Sequence, residues 1–210
     1  MPAASEDMTA NKQAVIFDMD GTLTRQNLDF TAIRQEIGLG PQPVLETILK
    51  MAPAERARAE AILERHEAEA AAKCELQPSA GEVVGELRSR GIAAALMTRN
   101  SRKSVEAFQS RHGLTFDLVW TREDGPMKPS PDPIHMICRE LGVKAADAWV
   151  VGDFRFDIIC GASAGARTVL FVEAGRQRPD WAAEADYVID DLRELLDHMG
   201  LGPRVPGRAP

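Results

Sequence analysis

Short apolar runs punctuate the chain, and helical patterns fill the intervals between them. Residues 14–17 read AVIF and lead into the acid–glycine segment Asp18-Met19-Asp20-Gly21-Thr22. A run this short, without polar alternation, predicts a strand covered on both faces that ends in a loop. Comparable runs stand at 92–97, 116–120, 148–153, 166–172 and 186–189. Between them, Ser79 followed by Glu82 reads as a capping box, with Val83, Val84 and Leu87 at helical spacing and Gly91 closing the helix. Ser101 to His112 carries Val105 and Phe108. Asp132 reads as an N-cap with Pro133 in the first turn, Ile134, Ile137 and Leu141 on one face, and Gly142 just beyond. Strand–helix alternation of this kind predicts an α/β fold, a doubly wound parallel sheet.

One region breaks the alternation. Between Thr24 and Pro78 the pattern is helical only, over roughly 28–37, 43–52 and 54–74. The third segment is rich in Ala and Glu, good helix formers that need little core, so it reads as a solvated helix whose charges need no partner. The predicted organisation is an α/β core over 13–24 and 79–199, with a small all-helical cap inserted over 25–78. Residues 1–12 read as an N-terminal tail, and the Gly/Pro-rich 200–210 as a mobile C-terminal one.

Composition narrows the function classes. The 210 residues hold 44% hydrophobic and 27% charged side chains, enough for one domain with a real core. Thirty-two acidic against 25 basic residues leave a net charge of −7, which disfavours a nucleic-acid backbone as partner but not a small anion held in a cleft. No apolar stretch is long enough for a membrane span, and the N-terminal residues do not form a secretory signal. Cys74, Cys138 and Cys160 have no ligand spacing and read as reduced thiols. The expectation is therefore a cytoplasmic protein, monomer or homodimer, with no membrane partner.

The candidate chemistry lies where strands end, the rim on which open α/β sheets place their sites. Asp18 and Asp20 stand two residues apart after the first strand, so their carboxylates face the same way. Two like charges that close are costly without a cation or a shared proton. Asp153 and Asp157 follow the fourth strand in GDFRFD. Taken alone, Asp153 is as well read as a helix cap. Parallel strands nevertheless bring Asp18, Asp20 and Asp153 to one rim, and such a set of hard oxygen ligands suits Mg²⁺. Thr98 ends the second strand, either as a cap or as a hydroxyl that cradles an anion. Lys128, in the proline-held loop GPMKPSPDP, reads either as a solvated loop lysine or, because it follows the third strand and precedes a helix, as a side chain that reaches the same rim. The four histidines share no ligand spacing.

These four pieces, in this order, resemble the motifs of the haloacid dehalogenase-like superfamily. DMDGT at 18–22 is similar to the first motif, Thr98 to the second, Lys128 to the third, and GDFRFD to the fourth. The resemblance runs over roughly 13–195, and the helical insertion resembles a short version of the cap in the phosphoglycolate-phosphatase-like branch. It implies a Mg²⁺-dependent phosphatase acting on a small phosphorylated metabolite. Asp18 would be the nucleophile that forms an aspartyl-phosphate, and Asp20 the general acid and base. Lys128 and Thr98 would hold the phosphoryl group, and Asp18, Asp20, Asp153 and Asp157 the metal. Asp20 further favours phosphate esters, because dehalogenases lack an acid there. Arg99 and Asn100, beside the second motif, are candidate substrate contacts. Arg34, Lys50 and Arg155 are weaker candidates, and Cys160 has no assigned role. Two alternatives use the same residues: a sugar-phosphate mutase-type phosphotransferase, and a binding or regulatory module without turnover.

Overall fold

The computed structural model describes residues 12–202. Six parallel strands form one sheet: β1 (Ala14–Phe17), β2 (Ala93–Met97), β3 (Leu118–Trp120), β4 (Ala148–Gly152), β5 (Arg167–Phe171) and β6 (Tyr187–Ile189). Their spatial order is β3-β2-β1-β4-β5-β6. Each apolar run of the sequence thus became a strand, displaced by at most two residues at its ends. β1 lies in the middle, paired with β2 on one side and β4 on the other.

The sheet is covered on both faces, which is why its strands lack polar alternation. Val15, Phe17, Leu96, Val151 and Val169 point to one face and pack on α4 (Ala80–Ser89), α5 (Arg102–His112) and α8 (Arg193–His198). Ala14, Ile16, Met97 and Val150 point to the other, against α6 (Asp132–Leu141) and α7 (Arg155–Ala164). Residues one apart along each strand therefore serve different cores, as the two-residue period of a strand requires.

Between β1 and α4 the chain forms α1 (Phe30–Ile37), α2 (Val44–Ile48) and α3 (Pro53–Lys73). These helices share a core of their own around Ile33, Val44, Ile48, Ala59 and Leu63. The two connections into this insertion run side by side, with Arg25 N–H donating to the Glu75 carbonyl and Gln77 N–H to the Leu23 carbonyl, both at 2.9 Å. The insertion thus sits on one two-stranded stalk.

Several local expectations need correction. Ser79 precedes α4 in a left-handed conformation (φ 66°) and its side chain caps nothing, so the sequence spacing to Glu82 does not make a capping box. Asp132 is the first residue of α6 rather than its cap. Pro131 takes the cap position, and the Ser130 hydroxyl accepts the Asp132 N–H at 3.2 Å. α3 is not a solvated rod. Ala59, Leu63, Glu67 and Ala71, four residues apart along one face, are buried, Ala59 and Leu63 in the insertion's own core, and α3 also packs along α5. Leu201 packs on the sheet core, two residues into the segment expected as a tail, while 1–11 and 203–210 lie outside the described residues. Among the described residues no helix is long and apolar enough to cross a membrane.

Candidate active site

The strand order reverses between β1 and β4, and the crevice beyond their carboxyl ends is where this architecture binds ligands. Asp18 is the first residue after β1, and its N–H continues the ladder to the Val151 carbonyl at 2.9 Å. Asp153 follows β4 directly, so adjacent strands set the two acids side by side. Thr98 follows β2 and is anchored by its N–H to the Trp120 carbonyl at 2.9 Å. Lys128 comes from the loop before α6, and Asp157 from the first turn of α7.

Oxygen atoms of Asp18, Asp153 and Asp157 lie within 4.8 Å of one another. Lys128 Nζ donates to Asp18 Oδ1 at 2.5 Å and to Asp157 Oδ1 at 2.6 Å. Lys128 is 6% exposed and Asp157 1% exposed, so these charges interact with little water between them. Burial works against the lysine's charge, yet Asp157 and Asp18 outweigh it and hold its pKa above the ordinary lysine value. Burial pushes Asp153 and Asp157 up, with the Asp18 charge adding to both and Lys128 opposing. Asp153 does not cap α7. The Phe154 N–H instead donates to Asp157 Oδ2 at 3.2 Å, which leaves the Asp153 carboxylate facing the other acids.

Two glycines make this crowding feasible. Gly21 has φ +86°, and a Cβ there would stand 2.1 Å from Asp153 Oδ2. A Cβ on Gly152 would stand 2.1 Å from the Asp157 carboxyl carbon. Both acids occupy space that a side chain would fill.

Asp20 lies in the turn that follows β1, held where Gly21 N–H meets the Thr24 carbonyl at 2.9 Å. Its carboxylate is outside the three-acid group. It accepts from Asn100 Nδ2 at 2.5 Å. Burial raises its pKa to about 7, with the nearby Asp18 charge adding and the Asn100 hydrogen bond opposing. A carboxyl group of this kind is shared between its protonated and ionised forms near neutrality, as a proton donor and acceptor requires.

All eight site residues expected from sequence border one cavity of about 500 Å³ between the sheet rim and the insertion. Thr98 is buried, and its hydroxyl accepts the Asn100 N–H at 3.2 Å, while Ser101, not Thr98, caps α5. Arg99 reaches across to the insertion, where Nη2 donates to Glu46 Oε1 at 2.5 Å, and its guanidinium lies 5.2 Å from the Phe156 ring centre. Arg34 also lines the cavity, whereas Lys50 does not and Arg155 pairs with Glu184. Cys160 is buried, donates to the Ser130 carbonyl at 2.9 Å, and has its pKa pushed up to about 12 by burial.

Sequence reasoning missed Glu67. This α3 residue, 4% exposed, receives Arg122 Nη1 at 2.5 Å and the Ser101 N–H at 3.3 Å, so it ties the insertion to the loops after β2 and β3. Burial nevertheless holds its pKa above the usual glutamate value, against the Arg122 charge. The usable signal was the Ala-Leu-Glu-Ala stripe at positions 59, 63, 67 and 71, a buried face with one acid in it.

The carboxylate set fits a hard divalent cation. Three acids cluster with one lysine already divided between two of them, and the Asp153 carboxylate carries no side-chain donor among the described residues.

Comparison with known proteins identifies the family and the fold. The family described as "Haloacid dehalogenase-like hydrolase" matches residues 26–171, starting just after the turn that carries Asp18 and Asp20. A haloacid dehalogenase-like hydrolase domain-containing protein of Arabidopsis thaliana is 32% identical over 201 residues, covering 87% of this chain and 82% of that protein. An N-acetylmuramic acid 6-phosphate phosphatase of Pseudomonas putida is 29% identical, covering 88% and 96%. The crystal structure of a predicted phosphoglycolate phosphatase from Haemophilus somnus shares the fold, with a TM-score of 0.72 at 19% identity over 91% of this chain and 99% of that one. With the acids, the lysine and the helical insertion in these places, the chain belongs to the haloacid dehalogenase-like hydrolases.

Proposed function

We propose that the protein is a Mg²⁺-dependent phosphatase that hydrolyses a small phosphate monoester through an aspartyl-phosphate on Asp18. The observation that carries this reading is the Asp18 carboxylate itself. It stands at the mouth of β1, held by Lys128, beside two further acids, with a carboxyl of raised pKa two residues away. The phosphatase named among the relatives supports the choice of ester.

Asp18 attacks phosphorus, and the ester oxygen leaves as the alcohol by taking the proton of Asp20. Ionised Asp20 then takes a proton from the water that attacks the aspartyl-phosphate, which returns Asp18 and releases inorganic phosphate. Lys128 and the Thr98 hydroxyl hold the phosphoryl oxygens while charge moves onto them. Asn100 fixes the Asp20 carboxyl for both transfers. Asp18, Asp153 and the Asp20 backbone carbonyl, with Asp157 in support, would hold Mg²⁺, whose positive charge would offset the repulsion between carboxylate and phosphate. The helical insertion serves as a cap that contributes the walls around the leaving group.

The test is release of inorganic phosphate from a panel of phosphate monoesters with Mg²⁺, with chelation by EDTA and with Asp18→Asn. Release is expected to vanish under both treatments and to return when Mg²⁺ is restored to the native protein. Turnover that survives Asp18→Asn would remove Asp18 as nucleophile.

A further inference from the structure

Away from the acids the cavity changes character. Three of the chain's seven phenylalanines line it: Phe30 from α1, and Phe154 and Phe156 from the start of α7. Phe30 is 40% exposed and Phe154 56% exposed, and among the described residues only Leu49 joins them as an exposed large hydrophobic side chain. These two exposed rings stand on the insertion side and the sheet side of one cavity, where a ligand seated in it would cover them. Phe154 meets Phe156 edge to face, with ring centres 5.2 Å apart and planes at 88°, and the Arg99 guanidinium lies over Phe156, so Phe154 is the exposed ring of the pair.

Gln26, Arg34, Glu46 and Arg99 are polar groups of this outer region. Arg99 Nη2 donates to Glu46 Oε1 at 2.5 Å, while the buried Arg99 Nε has no hydrogen-bond partner among the described residues. Arg34 is different. Its Nε reaches the Gln42 carbonyl and its Nη1 the Phe30 carbonyl, both at 3.3 Å, and among the described residues it has no carboxylate partner. It is the cation of the outer cavity whose charge is not already used.

We propose that the ester's alcohol portion is a planar aromatic ring carrying an anionic or strong acceptor group. The ring lies between Phe30 and Phe154, and the acceptor is received by Arg34. This deepens the phosphatase reading and rests on it. The group transferred and the bonds broken are those given above; only the identity of the alcohol is added.

The experiment compares kcat/KM for benzyl phosphate, 4-carboxybenzyl phosphate, glucose 6-phosphate and acetyl phosphate, with Mg²⁺. The three esters all release alkoxide-type leaving groups, so preference among them reads the cavity rather than phenol acidity. The expected order is 4-carboxybenzyl over benzyl over glucose 6-phosphate, with roughly tenfold or more between first and last. Arg34→Gln is expected to lower the carboxybenzyl-to-benzyl ratio by about tenfold, with partial recovery in Arg34→Lys. Phe30→Ala is expected to lower the benzyl-to-acetyl phosphate ratio by about tenfold. Ratios on one preparation cancel any difference in folded fraction. Turnover of acetyl phosphate with glucose 6-phosphate equal to or better than the benzyl esters, or ratios unmoved by the variants, overturns this inference and leaves the phosphatase reading intact. No phosphate released from any of the four overturns both.

Discussion

Arg122→Met removes one half of a buried ion pair that joins the insertion to the sheet. The native Glu67 side chain is 3% exposed and that of Arg122 11%, with Nη1 to Oε1 at 2.5 Å. Loss of the arginine leaves a carboxylate with the Ser101 N–H as its nearest remaining donor, at 3.3 Å. Breaking a desolvated pair in this way costs about 3–5 kcal/mol. At about 2–4 °C per kcal/mol for a chain of this length, the melting temperature should fall by about 6–20 °C. The pH dependence gives the sharper test. Burial already raises the folded pKa of Glu67 above its ordinary 4.5, and removing Arg122 raises it further. A raised carboxylate pKa favours folding below the unfolded value and loses that contribution as pH rises through the folded one. The deficit of Arg122→Met should therefore be smaller at low pH than at high pH, as protonation of Glu67 relieves the orphaned charge. Glu67→Gln in the same chain should recover more than half of the loss at pH 8, since it keeps an acceptor for Ser101. Urea titrations of native, single and double variants at pH 5 and pH 8 measure this directly. A deficit below about 1 kcal/mol, or one equal at both pH values, would mean that the pair is solvated and that α3 is docked by apolar contact alone.

Three further outcomes follow from particular contacts. Gly21→Ala forces a side chain onto a left-handed residue and into Asp153; about 1–2 kcal/mol of stability should be lost, with kcat down at least about 100-fold, measured by melting and phosphate release. Ile48→Ala opens a hole in the insertion's separate core at a cost of about 2–5 kcal/mol, and hydrogen exchange should quicken over residues 30–73 while the β1 and β4 amides keep their protection. All three cysteines are buried, so a thiol reagent at pH 8 should label none in the native protein and all three in guanidinium; fast labelling of Cys160 in the folded state would contradict its placement against the Ser130 carbonyl.

The sequence by itself determined the layers and the rim. Apolar runs of four or five residues cannot be satisfied except between two covering layers, so strands, helices and their alternation were legible from period alone. Asp18, Thr98 and Asp153 follow strand ends, and parallel pairing carries every strand end to one edge, so their convergence is legible in the sequence. Caps were less legible. Ser79 and Asp132 have the right chemistry for an N-cap, but backbone dihedrals set by neighbouring loops decided which residue occupied the position. Only the tertiary structure decided what crosses between the insertion and the sheet. Glu67 with Arg122, and Glu46 with Arg99, are 55 and 53 residues apart, and no local period links them. The same holds for the gathering of Phe30 with Phe154. Long-range side-chain pairing depends on how two separately cored units dock, which periodicity within one element cannot encode.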